Sequence, residues 1–257
     1  MKSPVVLIGI GEMGSVFARG FLRAGYPVYP VTRQSDIANA ARTIPTPELV
    51  LVAVAENDLH SVLEQLPAAW FQRIGLLQNE LLPADWEQYG FAQPTVISVW
   101  FEKKKGQDVK VLSPSPAFGP QAGLLQEALD SIGIPVRTLA SATELRFELV
   151  VKNVHIVTTN RAGLGTGGTV SDLWDNHREL AEAVAREVIR LQESLTGQTF
   201  DDDALIHGML TAFEGDPEHK CMGRSAPARL ARALQQADNA GLDVPRLREI
   251  AARQDTQ

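Results

Sequence analysis

A single cysteine, Cys221, stands among the 257 residues, so the chain can form no intramolecular disulfide. That composition fits a reducing compartment, and the cytoplasm is the expected location. Aromatic residues make up only 6 % of the chain. No run comes near the roughly 20 consecutive apolar residues that cross a bilayer, so no membrane association is expected. Lysine and arginine, 24 in all, are outnumbered by 31 acidic residues, which leaves a formal charge of −7 and a pI near 5.3. A general phosphate-backbone binder would carry a basic patch or a basic domain, so nucleic acid is not an expected partner. His155 and His219 have no partner at metal-ligand spacing, and Cys221 has no identifiable activating histidine. No metal site is expected, the histidines read as structural or surface residues, and the thiol reads as inert.

What is present is the composition of a folded chain, 44 % hydrophobic and 21 % charged, with enough apolar residues to bury a core. The start passes from "MKSP" straight into "VVLIGIG", too short and too glycine-interrupted for a signal peptide, and reads as a first strand. From there to about residue 138, β-rich runs such as "ELVLVAVA" and "RIGLLQN" alternate with helical patterns such as "MGSVFARGFLRAG" and "DLHSVLEQLP". That alternation predicts a mostly parallel sheet covered on both faces. In "TVISVWFEKKKGQDVKVLSPS" two strand-like runs flank a charged turn, which predicts a terminal antiparallel hairpin with Lys103, Lys104 and Lys105 at a solvated tip. From Ser141 onward the patterns are helical, and "AGLGTGG" at 162–168 reads as an interhelical loop. The predicted organisation is an α/β domain over 1–138 and an all-α domain over 139–257.

Gly9, Gly11 and Gly14 follow the first strand directly and open an amphipathic helix. In this pattern the first glycine permits the tight turn, the second leaves bare backbone for a pyrophosphate, and the third lets helix and strand approach closely. The helix N-terminus then presents unpaired N–H groups to phosphate. Strand, loop and helix together predict a Rossmann dinucleotide site, with Glu12 and Met13 of the loop counted among its residues. Sites that prefer NAD carry an acid at the end of the second strand, where it binds the ribose hydroxyls. Here that position reads "PVTRQS": Thr32 offers a hydroxyl, Arg33 a bidentate cation, and no acid follows until Asp36, so NADPH is favoured over NADH.

The second unusual stretch is "FELVVKNVHIVTTN", residues 147–160, mostly apolar yet carrying a lysine and two asparagines. At roughly 100° per residue, Lys152, Ile156, Asn160 and Asn153 fall within about one quarter of a helix circumference. That polar arc points either to a wet surface or into a site. An i,i+4 ion pair between Glu148 and Lys152 is the plain alternative for the lysine.

Taken in order, "GIGEMG" at 9–14, "TR" after the second strand, "LLQNE" at 76–80, the lysine helix and the closing "ARLARALQQADNAGLDVP" resemble the ketopantoate reductase family. That family belongs to the 6-phosphogluconate-dehydrogenase-like reductases, which join an N-terminal Rossmann domain to a helical C-terminal domain. The resemblance implies hydride transfer from NADPH to the carbonyl carbon of a small 2-keto acid. It places Lys152 at the catalytic lysine, Asn79 at the asparagine between cofactor and lysine, and Asn160 at a substrate-binding asparagine. Several positions depart from the family. Ile156 stands where a second asparagine is usual, with Asn153 close in angle; Glu80 replaces the motif glycine; Ala55 and Glu56 replace a basic residue; and Ser225 aligns with a glutamate that contacts the substrate hydroxyl. Arg224, beside Ser225, is a candidate for the substrate carboxylate. The alternatives are a β-hydroxyacid dehydrogenase-type reductase and a non-catalytic NADPH-binding sensor. A small carbonyl substrate and a homodimer complete the expectations.

Overall fold

The computed structural model describes residues 2–223 and 225–254, and the chain divides into two compact units, Met1–Glu148 and Leu149–Gln257. In the first unit the strands and helices are β1 (Val5–Ile8), α1 (Glu12–Arg23), β2 (Val28–Val31), α2 (Ile37–Thr43), β3 (Leu49–Val52), α3 (Leu59–Leu63), β4 (Ile74–Leu76), α4 (Ala84–Glu87), β5 (Thr95–Ile97), β6 (Phe101–Glu102), β7 (Lys110–Val111), β8 (Ser115–Phe118), α5 (Ala122–Asp130) and β9 (Val136–Thr138). Seven strands form one sheet in the order β2-β1-β3-β4-β5-β8-β9. The first five are parallel; β8 runs antiparallel to β5, and β9 pairs parallel with β8. Every residue of β1 and β3 is buried, as expected of parallel strands covered on both faces. Pro30 sits in β2, whose place at the edge tolerates a residue with no N–H to donate.

The predicted hairpin forms as β6 and β7, but Lys103 is not at a solvated tip. Its ammonium lies 3.3 Å from the Glu12 carboxylate and also donates to the Lys104 and Gln107 carbonyls, so the turn folds back toward the first turn of α1. Lys104 and Lys105 are exposed. Helix α5 and strand β9 complete the unit. Gly20 of α1 makes the α1–α5 approach possible: a Cβ there would lie 2.7 Å from the Ala128 carbonyl oxygen.

Helix α6 (Ala142–Thr166) contains the unit division. It begins at a capping box: Ser141 Oγ accepts the Glu144 N–H at 3.2 Å, and the Glu144 carboxylate accepts the Ala140 N–H at 3.1 Å. It continues through most of the glycine stretch expected as a loop. Gly163 lies within the helix, where a Cβ would meet Cys221 at 2.7 Å, so the glycine serves close packing, and the chain turns at Gly167 and Gly168, where φ is +69° and +72°. The helical unit then runs through α7 (Val170–Asn176), α8 (Arg178–Thr196), α9 (Asp202–Gly215), α10 (Ala226–Ala240) and α11 (Pro245–Gln254). The helical pattern over 169–195 breaks into α7 and α8 at His177, and α11 follows the non-helical residues 242–244. Buried Glu187 on α8 accepts the Arg246 and Leu247 N–H groups at 2.8 and 3.0 Å, supplying a cap for α11. No described helix is long and apolar enough to cross a membrane.

Candidate active site

Strands β1, β2 and β3 end side by side, and their C-terminal ends open into a groove of about 840 Å³ lined by Gly9, Gly11, Thr32 and Arg33 among others. Such a position, outside the carboxyl ends of parallel strands, is where open α/β sheets bind ligands. The three glycines separate by what surrounds them. At Gly9, φ is +91° and a Cβ would lie 2.7 Å from the Ala53 carbonyl oxygen; at Gly14 it would lie 2.1 Å from the Gly9 carbonyl oxygen. At Gly11 a Cβ would meet nothing within 4 Å. Gly9 and Gly14 are therefore required by the fold, whereas Gly11 leaves a vacancy in front of the α1 N-terminus. Gly11 is also the N-cap of α1 and has no side chain with which to cap it. Bare backbone facing open space at a helix N-terminus fits a dinucleotide pyrophosphate. Glu12 and Met13 occupy the first turn beside it, with Glu12 held by Lys103.

At the rim, the Ser35 hydroxyl accepts the Thr32 N–H at 3.0 Å, shaping the turn that carries Arg33. The first acid after β2, Asp36, is spent on capping α2 through the Ala38 and Asn39 N–H groups. A different acid reaches the groove: the Asp58 carboxylate accepts from Arg33 Nη2 at 2.9 Å. Sequence reasoning missed Asp58 because it lies 25 residues from Arg33. Gln78 was missed as well. Its buried amide donates to the Val52 carbonyl at 2.7 Å and the Val54 carbonyl at 3.4 Å, bracing the strand end that supplies Ala53 and Val54 to the groove. Asn79, next to it, is exposed in the turn after β4. Glu80 follows with φ +59°, the one positive φ outside glycine among the described residues, at the position where a glycine would meet no steric cost.

In the helical unit, Lys152 is half-buried on α6. The Glu148 carboxylate, its alternative partner, accepts from Arg137 at 2.6 Å. Asn153 is 2 % exposed and donates to the buried Gln192 at 2.9 Å, so its amide is used in packing α6 against α8. Ile156 is buried too. Asn160 is half-buried, and its side-chain oxygen accepts from Arg229 Nη1 at 3.1 Å. His155 is buried, with its ring 5.6 Å from Phe213 in an edge contact. Burial, then the Lys152 charge, then His219, hold its pKa well below the ordinary histidine value, so it is neutral at pH 7. Burial, with Asp172 second, pushes the Cys221 thiol up to about 11 and leaves it unreactive. Ser225 is exposed at the start of α10 and makes no side-chain cap, while Arg224 lies outside the described residues. Among the described residues no cluster of three or more His, Cys, Asp or Glu could hold a metal.

No family model matches the chain, and no curated protein matches it by sequence. Solved structures do match it over nearly its whole length. A 2-dehydropantoate 2-reductase from Methylococcus capsulatus superposes with a TM-score of 0.70 at 15 % identity, covering 98 % of this chain and 96 % of that one. The chain has the ketopantoate reductase fold. A dimeric ketopantoate reductase from Staphylococcus aureus gives a TM-score of 0.64 at 16 % identity, with 99 % and 100 % coverage. D-mandelate dehydrogenase in complex with NADH gives 0.67 at 13 % identity, with 100 % and 99 % coverage. At these identities the likeness concerns the fold, and the same fold serves both kinds of enzyme.

Proposed function

We propose that the chain is an NADPH-dependent reductase of a small 2-keto acid. The observation that carries this reading is the groove at the ends of β1–β3, where Gly11 faces open space at the α1 N-terminus and Arg33 stands at the rim. Solved ketopantoate reductases and D-mandelate dehydrogenase share the fold and lend the reading its reaction class. Bound NADPH supplies the hydride. The α1 N-terminus would hold the pyrophosphate, and the Arg33 guanidinium would meet the 2′-phosphate. At the carbonyl oxygen of the keto acid, where negative charge develops during reduction, the Lys152 ammonium would stabilise that charge and donate the proton that completes the 2-hydroxy acid. The side chains of Asn160 and Ser225 are proposed to meet the substrate. Asn153, also proposed to do so, would first have to leave Gln192.

The test is a thermal-shift series with NADPH, NADH and NADP⁺, followed by NADPH oxidation with a panel of 2-keto acids. Stabilisation by NADPH, together with turnover lost in Lys152→Ala, is the expected result. Stabilisation with no turnover on any carbonyl would favour a non-catalytic nucleotide sensor, and no stabilisation by any nucleotide would overturn the proposal. A homodimer is proposed on the example of the dimeric Staphylococcus aureus enzyme, and sedimentation equilibrium tests it.

A further inference from the structure

The groove pairs its phosphate-binding cation with an acid, and the pairing bears on which dinucleotide enters. Asp58 ends the 3-10 turn Glu56–Asp58 that follows β3 and stands at the N-cap of α3. An aspartate at that place normally accepts N–H groups of the following turn. Here its backbone, at φ −94° and ψ −9°, is already helical, and the side chain makes no cap. The carboxylate turns into the groove instead and accepts from Arg33 at 2.9 Å. Arg33's side chain is 90 % exposed and Asp58's 42 %, so the pair sits at the open rim rather than in the core. Resting on the nucleotide reading above, we infer that Asp58 sets the cofactor selectivity of this site.

Two opposite ligands meet the same pair. A 2′-phosphate brings between one and two negative charges and needs the Arg33 fork, which Asp58 partly occupies and whose charge Asp58 neutralises. An unphosphorylated ribose instead offers a hydroxyl, and a carboxylate is the group that accepts from it. Asp58 thus weakens NADPH and retains a partner for NADH, and the groove accepts both with a narrow preference. Because the pair is exposed, the effect is moderate and falls with salt.

Dissociation constants of NADPH and NADH, read by nicotinamide fluorescence at low and raised ionic strength, test the assignment on wild type, Asp58→Asn, Asp58→Ala, Arg33→Ala and the Arg33/Asp58 double variant. Wild type is expected to favour NADPH by about tenfold or less, the scale of one charge-assisted hydrogen bond. Asp58→Asn should tighten NADPH by about tenfold, leave NADH equal or weaker, and lose this effect when Arg33 is also replaced. Nucleotide-free unfolding midpoints show that the variants fold. An NADPH-to-NADH ratio unchanged within about twofold in both Asp58 variants overturns the assignment while leaving the nucleotide site standing. A wild-type preference above about a hundredfold does the same without any variant. If wild type binds neither dinucleotide, this assignment and the nucleotide reading fall together.

Discussion

Gly11 and Gly14 occupy the same motif and do different things, which substitution can separate. At Gly14 an added Cβ would lie 2.1 Å from a backbone oxygen that cannot move aside, so Gly14→Ala should cost about 3 kcal/mol, seen as a lower urea midpoint. At Gly11 nothing lies within reach, so Gly11→Ala should fold normally, losing about 1 kcal/mol or less as a poorer N-cap, yet lose NADPH binding. Equal destabilisation by the two would mean that the motif is only a structural turn. Glu80 offers the reverse experiment. A non-glycine residue at φ +59° costs about 1–2 kcal/mol, and glycine returns roughly half of that through the unfolded chain. Glu80→Gly should therefore raise the unfolding free energy by about 0.5–1 kcal/mol in urea titration.

At the scale of elements, glycine is the device by which helices approach. Gly20 brings α1 to the Ala128 carbonyl on α5, and Gly208 brings α9 to Val151 on α6, where a Cβ would meet Val151 at 2.8 Å. Alanine has the higher helix propensity by about 1 kcal/mol, so Gly20→Ala would be stabilising on local grounds alone. The close backbone contact reverses the sign: Gly20→Ala should destabilise by about 1–3 kcal/mol in chemical denaturation. The same reasoning explains why the glycine stretch at 162–168 looked like a loop. Composition alone cannot distinguish a glycine that turns the chain, as Gly167 does, from one that admits a neighbour, as Gly163 does. The capping box of Ser141 and Glu144, by contrast, is legible in "SATE" because its partners are three residues apart.

For the whole molecule, buried His155 couples stability to pH. Its folded pKa is depressed, so between that value and the ordinary histidine value near 6.5 the unfolded chain binds the proton and the native chain does not. Its contribution is fully present above about pH 6.5 and is lost as pH falls below it. The thermal midpoint should therefore drop from pH 7 to pH 5, and the drop should shrink in His155→Phe, which keeps an aromatic ring against Phe213. An unchanged pH profile in that variant would remove His155 as the cause. A formal charge of −7 and a pI near 5.3 place the solubility minimum in the same range, so the comparison requires dilute protein.

The strand–glycine–helix start, the alternating α/β region and the helical remainder follow from the sequence by itself, because periodicity, glycine spacing and capping are local properties within one or two turns of chain. The candidate nucleotide groove was legible for the same reason: Gly9, Gly11, Thr32 and Arg33 sit at the ends of consecutive strands that a parallel sheet must bring together. Only the tertiary structure decided what distant groups do to one another. It turned Asn153 onto Gln192, 39 residues away, set Asp58 against Arg33, and put Glu80 in a left-handed conformation. Those outcomes depend on which surfaces pack, and packing is set by the shapes of many side chains at once rather than by any short pattern.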